Sequence, residues 1–189
     1  MGGSNRRRTA APAWLPAALF LAGAAVSVLV GVYGRVHDPT GETVATLFFR
    51  DQITMKAWTA TLVIALALVQ IVSALRLYGK VGSGDPPPWL GDVHRLSGTL
   101  AFVGSLPVAY HCLWSLGFNA DAGLTRVFVH SVAGCMFYGA FATKVLLVRR
   151  RGLPGWALPA AGGLVFTSLV VLWLTSSLWF FDQRGLGVT

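Results

Sequence analysis

The sequence predicts an all-α membrane protein with five transmembrane helices, the second to fifth forming a four-helix bundle, N-terminus in and C-terminus out. Three observations carry that prediction. Hydrophobic residues make up 54% of the 189 and charged residues only 12%, with a mean hydropathy of +0.64, unlike any ordinary soluble domain. Five apolar runs reach the roughly 20 residues that a helix needs to cross a hydrocarbon core about 30 Å thick. The Lys and Arg residues gather beside those runs rather than on a folded face of their own.

The first run, about 13–34, follows Arg6-Arg7-Arg8. It starts like a signal peptide, but it is long enough to span and no small-x-small site follows, so it reads as a retained first helix. The outer loop, 35–54, opens with "HDPTGE". Asp38-Pro39 resembles an N-cap and first helical position, so "PTGETVATLFFRD" reads as a short interfacial helix, with Leu47, Phe48 and Phe49 dipping into lipid or covering the mouth of the bundle. The second run, 55–77, ends at "GKVGSGDPPPWLGD", whose Pro86, Pro87 and Pro88 cannot continue a helix and set a stiff loop. "GFNADAG" separates the third run, 93–116, from the fourth, 127–148, and "RRRGLPG" precedes the fifth, 157–181. No internal repeat or soluble domain interrupts them, and residues 1–189 read as one integral membrane domain.

Alternating loops give the orientation. With the N-terminus inside, ten Lys/Arg fall inside and five outside, the asymmetry expected across a bacterial cytoplasmic membrane. The net charge of +8 therefore belongs to span flanks and offers nucleic acid no docking face; the partner it implies is the lipid bilayer. Trp89, Trp114, Trp156 and Trp179, and the start of the second helix at Lys56 to Trp58, fit an interfacial anchor belt. Cys112 and Cys135 read as small buried hydrophobes. Gln70, deep in the second helix, needs an interhelical partner. All seven acids lie in loops or at helix ends, which argues against an ion-coupled transporter. No phosphate loop, nucleophile elbow or H-E-x-x-H occurs.

The histidines carry the remaining chemistry. His111 lies near the outer end of the third helix and His130 about one turn into the fourth from the same side, so their depths match within about one helical turn, roughly 5 Å. Two such imidazoles can fill both axial positions of a porphyrin iron; they can equally hydrogen-bond to backbone or water near the interface, or serve a proton or substrate site. Small residues on the same faces leave room for a ring or for close helix packing: Gly104 seven residues from His111, Ser97 fourteen, and Gly134 four after His130. His94 lies about 25 Å from His111 along the helix and about 100° away around it. It cannot share a haem with His111, and its alternatives are separate ligation, a lipid headgroup or a haem propionate. His37, beside Asp38 and Pro39, reads as a solvated loop residue or a cap neighbour.

"HRLSGTLAFVGSLPVAYH", from His94 to His111, resembles the H-R-x-x-G-x-x-A … H helix of ferric-reductase-like and related four-helix membrane cytochromes b. "VHSVAGCMFYGAFATKVLLVRR" resembles the helix with the facing histidine in such proteins. The resemblance covers the third and fourth helices. It implies a bundle holding haem b, with His111 and His130 as axial metal ligands and Gly104, Gly134 and Ser97 beside the ring. A second, inner haem would need histidines where Ser97 and Lys144 stand. No flavin- or nicotinamide-binding stretch follows, so the resemblance implies an electron-transfer subunit rather than a complete reductase, exchanging electrons with an extracytoplasmic redox protein or a quinone. The overall pattern and Ala/Gly/Arg-rich composition also resemble an uncharacterised actinobacterial five-helix membrane family, which assigns no function. A reading of a different class is a cofactor-free membrane subunit that scaffolds or assembles a larger complex.

Overall fold

The computed structural model describes residues 10–118 and 125–186, and among them every regular element is helical. Among the described residues, five helices are long and apolar enough to cross a membrane. They are α1 (Leu15–Val36), α2 (Gln52–Leu77), α3 (Leu90–Tyr110), α4 (Thr125–Val148) and α5 (Ala157–Trp173). Two of them change pitch near one end: α3 runs on as a π-helical segment, His111–Leu116, and α5 as another, Leu174–Leu178, before the short α6 (Trp179–Arg184). Both segments lie at the end of the molecule that carries the first loop; the proline loop marks the opposite end.

The start of α2 shows how local chemistry sets a boundary. Asp51 is extended (φ −149°, ψ 167°), and its Oδ1 accepts the N–H groups of Ile53 and Thr54 at 2.8 and 2.9 Å while Oδ2 accepts the Thr54 hydroxyl at 3.0 Å. These bonds satisfy helix donors that have no carbonyl partner. The backbone N–H of Thr54 is the chief cause that holds the Asp51 carboxyl below its ordinary value of 3.8. Because the folded value is the lower one, the cap stabilises above the ordinary carboxylate range and loses that contribution as pH falls through the folded value. Asp51→Asn is expected to flatten the acid limb of a thermal-stability profile, and Asp51→Ala to cost about 0.5–2 kcal/mol at neutral pH.

Helix packing follows an order that chain sequence does not suggest. Close seams join α1 to α4, α2 to α3, α4 to α5 and α2 to α5. Val63 and Ala67 of α2, Ala101 of α3, Phe137 of α4 and Leu169 of α5 share one buried core. Helix α1 lies against α4, and Leu19 shares a second buried cluster with Leu147 of α4 and with Ala157 and Ala161 of α5. Consecutive helices α3 and α4 share no comparable backbone seam. Long side chains bridge them instead: Phe102 stacks on Phe141 at 4.2 Å, and the Tyr138 hydroxyl meets Ser105 Oγ at 3.1 Å.

The α1–α4 seam is made of small residues. A Cβ on Gly23 would run into Thr143 Oγ1 and the Gly139 carbonyl, and one on Gly139 would run into Ser27 Oγ and the Gly23 carbonyl. Gly31 faces Cys135 one turn further along, where a Cβ would sit 3.5 Å from Sγ. Two stripes with four-residue spacing, Gly23-Ser27-Gly31 and Cys135-Gly139-Thr143, thus lie antiparallel against each other, the close approach that small-xxx-small patterns permit.

The first loop corrects one sequence expectation. Residues 38–46 form no helical turn; they run over the π-helical end of α3. The N–H groups of Thr40 and Gly41 bond to the Trp114 and Ser115 carbonyls at 3.1 and 3.0 Å, and Ser115 Oγ donates to the Glu42 carbonyl at 2.6 Å. Carbonyls at a helix C-terminus need donors, and here an extended strand of loop supplies them, which a helix could not. The chain then turns through Leu47 and Phe48 at φ 45° and 73°, a left-handed pair that L-residues disfavour, leaving the Phe48 side chain fully exposed.

Candidate functional site

Where α3 and α4 part at the first-loop end, a cavity of about 170 Å³ opens between α1, α2, α3, α4 and α5. Its wall is chiefly aliphatic and aromatic, including Val63, Phe137, Leu169, Leu172 and Trp173. A small polar group interrupts it: Lys56 from the first turns of α2, Cys112 from the π-helical end of α3, and His130 from α4. All three side chains face the same cavity, which is what brings Lys56, Cys112 and His130 together.

The π-helical segments help to set this group. On α5, Thr175 sits in the widened turn. Its hydroxyl donates to the Val171 carbonyl at 2.6 Å, and His130 Nδ1 lies 3.0 Å from the same oxygen. The hydroxyl hydrogen being used, Nδ1–H of His130 is the donor and the ring's lone pair lies on Nε2. Arg126 donates to the Thr175 carbonyl and lies over the Trp179 ring at 4.0 Å, which ties the start of α4 to the same turn. On the facing side, Pro107 inside α3 has no N–H to give, and the π-helical segment begins four residues later. Beyond that point Cys112, Leu113 and Leu116 line the cavity.

His111 goes elsewhere. It is 1% exposed and is not among the cavity-lining residues. Its Nδ1 lies 2.8 Å from the Pro107 carbonyl and must donate there; its Nε2 is left to accept the N–H of Ala45, at 3.4 Å, from the first loop. His111 and His130 therefore share an end of the bundle without sharing a cavity. In this geometry His111 is a buried latch for the loop. His111→Ala is expected to leave the Ala45 N–H without an acceptor, at a cost of about 1–3 kcal/mol, and to speed proteolytic cleavage within residues 38–46 severalfold. Unchanged cleavage would mean that the Thr40 and Gly41 bonds suffice.

The other expected site residues are dispersed. Gly134 lines the cavity, and a Cβ there would meet Leu172 at an ordinary 3.8 Å. Gly104 faces α2, where a Cβ would come within 3.2 Å of Val63 Cγ2, so it serves the α2–α3 seam. Ser97 and His94 lie toward the proline-loop end. Ser97 Oγ donates to the Val93 carbonyl at 2.7 Å and accepts from Gln70 Nε2 at 2.8 Å, while His94 Nδ1 lies 2.8 Å from Ser73 Oγ. Sequence reasoning took Lys56 for an interfacial anchor and Cys112 for a buried hydrophobe. The signal that could have found Lys56 was the helical register placing it on the same face as Ala60 and Val63; Cys112 carries no such signal.

Comparison with known protein families gives a match over residues 15–188, which takes in all five long helices; the matching family is described as a family of unknown function, DUF6529. The chain belongs to this family. No curated protein and no solved structure matches it. The family's description names no cofactor and assigns no activity to the cavity.

Proposed function

We propose that the chain is a membrane-embedded binding subunit whose first-loop-end cavity takes the ring of a quinone-class ligand. The observation that carries this reading is the cavity itself: a mainly apolar space of about 170 Å³ whose polar lining includes Lys56, Cys112 and His130 beside Ser105, Ser131, Ser176 and Tyr138. An engineered apolar cavity of about 150 Å³ holds benzene, so the space suits one six-membered ring, and the four pyrroles of a porphyrin exceed it. Lys56 offers donors and His130 Nε2 an acceptor, a combination that serves a head alternating between C=O and C–OH. Aliphatic walls suit the rest of such a molecule.

The haem b reading needs His111 and His130 on opposite faces of one ring. His111 would have to give up both the Pro107 carbonyl and the Ala45 N–H, and the cavity would have to widen. The quinone-site reading keeps the quinone partner of the electron-transfer reading and leaves out the bis-histidine haem; the cofactor-free scaffold of a larger complex is the alternative if no quinone binds. The excess of basic residues at the proline-loop end supports an N-in, C-out orientation in a bacterial cytoplasmic membrane, which sets the cavity toward the outer leaflet.

Two measurements on the full chain in detergent test this. A reduced-minus-oxidised absorbance spectrum after expression with ample haem is expected to be flat. A short-chain benzoquinone is expected to quench tryptophan fluorescence saturably, with most of the response lost in Trp173→Phe, because Trp173 lines the cavity. A Soret band abolished by His111→Ala would overturn the proposal in favour of haem; quenching without saturation would remove the quinone.

A further inference from the structure

We infer that the proline-loop end of the α3–α4 gap is a binding site for a phosphate anion, supplied by the headgroup of an anionic phospholipid. The inference is independent of the cavity at the other end. Its centre is Lys144, which lies four residues before the end of α4, about 6 Å in along the axis. The Ser105–Tyr138 and Phe102–Phe141 pairs set Lys144 about level with Thr99 of α3, with His94 roughly 7 Å nearer the proline loop. Lys144 thus stands close to the end of its helix, where hydrocarbon gives way to headgroups and a lipid phosphate lies.

Lys144 is partly buried, and the hydrogen bond found for it is to Gln70 Oε1 at 3.5 Å, a neutral acceptor at the limit of bonding distance. Gln70 is itself fixed. Its Nε2 donates to the His94 carbonyl and to Ser97 Oγ, and Gly98 makes room for it, since a Cβ there would come within 2.9 Å of Oε1. The amide oxygen is thus held toward Lys144 by a network that spans α2 and α3. Among the described residues the acids at this end are Asp85 and Asp92, against Arg76, Lys80, Arg95, Lys144 and the run Arg149 to Arg151. Asp92 is taken by Arg95. Arg76 is spent on loop carbonyls at Ser83, Gly84 and Asp85. An ammonium partly withdrawn from water, in strong local excess of positive charge, needs an anion.

The fold leaves an entry for one. The α3 and α4 backbones do not close on each other, and the Phe102–Phe141 stack bridges the gap about one turn deeper than Lys144. Headgroup chemistry fits the depth, the charge and the lateral opening, and basic pockets between membrane helices bind such headgroups.

The test uses the full chain in mixed micelles, titrated with phosphatidylglycerol or phosphatidylcholine and read by native mass spectrometry. Lys144→Gln is expected to weaken phosphatidylglycerol binding about fivefold, Lys144→Arg to retain it, and phosphatidylcholine to be unaffected by either. Gly98→Ala, which displaces the Gln70 carboxamide, is expected to weaken the same binding without touching a charge. Inorganic phosphate forms a parallel arm. Protection against heat by free phosphate that depends on Lys144 supports the anion site and assigns it to the soluble ion. Equal phosphatidylglycerol affinity in wild type, Lys144→Gln and Gly98→Ala overturns the inference, as does a loss confined to a variant lacking Arg149, Arg150 and Arg151.

Discussion

Gly139→Leu is expected to detach α1 from α4. The Cβ of any residue at 139 must displace Ser27 Oγ and the Gly23 carbonyl, and one of those is backbone that cannot rotate aside. Overpacking of a close-packed contact costs about 1–3 kcal/mol for a small addition, so Gly139→Ala is expected to lower the thermal midpoint clearly and Gly139→Leu to remove the seam. A covalent reporter lies one turn away. The Cβ position at Gly31 is 3.5 Å from Cys135 Sγ, close to disulfide geometry, so Gly31→Cys in a Cys112→Ser background is expected to cross-link to Cys135 on mild oxidation. Adding Gly139→Leu should abolish that cross-link. Gly31→Ala alone, with only ordinary contact, should be nearly silent. Equal cross-linking with and without Leu at 139 would show that the seam tolerates separation.

Lys56→Gln is expected to weaken the short-chain quinone about tenfold or more. A hydrogen bond from a charged donor contributes about 1.5–3 kcal/mol, and about 1.4 kcal/mol is a factor of ten in affinity. His130→Ala should act in the same direction, since it removes the acceptor at the same end of the cavity. Tyr138→Phe should change little, because the Tyr138 hydroxyl is occupied by Ser105. Saturable quenching of Trp173 is the measurement. Wild-type affinity in both Lys56→Gln and His130→Ala would separate the ligand from this polar group altogether.

How far the sequence reveals this molecule depends on which property is asked for. Hydropathy located all five long helices within a few residues, because burial in lipid is a property of composition along the chain. The cap at Asp51 moved the start of α2 a few residues earlier than hydropathy suggested, since Gln52 and Thr54 are helical without being strongly apolar. Gln70 was expected to find an interhelical partner, and the His94 carbonyl and Ser97 supply it. The histidine pair shows the limit. Depth follows from position in a helix, and His111 and His130 do lie toward the same end. Direction does not follow, because a π-helical segment begins at His111 and because a loop distant in sequence offers its Ala45 N–H. Nor does chain order tell which helices pack closely: α3 and α4 are consecutive yet meet through long side chains rather than through a close backbone seam. The glycines of α1 were legible as a four-residue stripe, but their partner stripe on α4 is visible only once the two are side by side.

The pairing of the first helix with the fourth bears on how the protein is made. Chains are synthesised from the N-terminus, so α1 enters the bilayer with its Gly23-Ser27-Gly31 face bare. Neither α2 nor α3 offers it a close seam, and a small-residue face in lipid gains little until a matching backbone comes within reach. Assembly of α1 therefore waits for the fourth span. Until then the nascent chain holds an adhesive edge open, either shielded by an insertion factor or free to pair with another membrane helix of the same pattern.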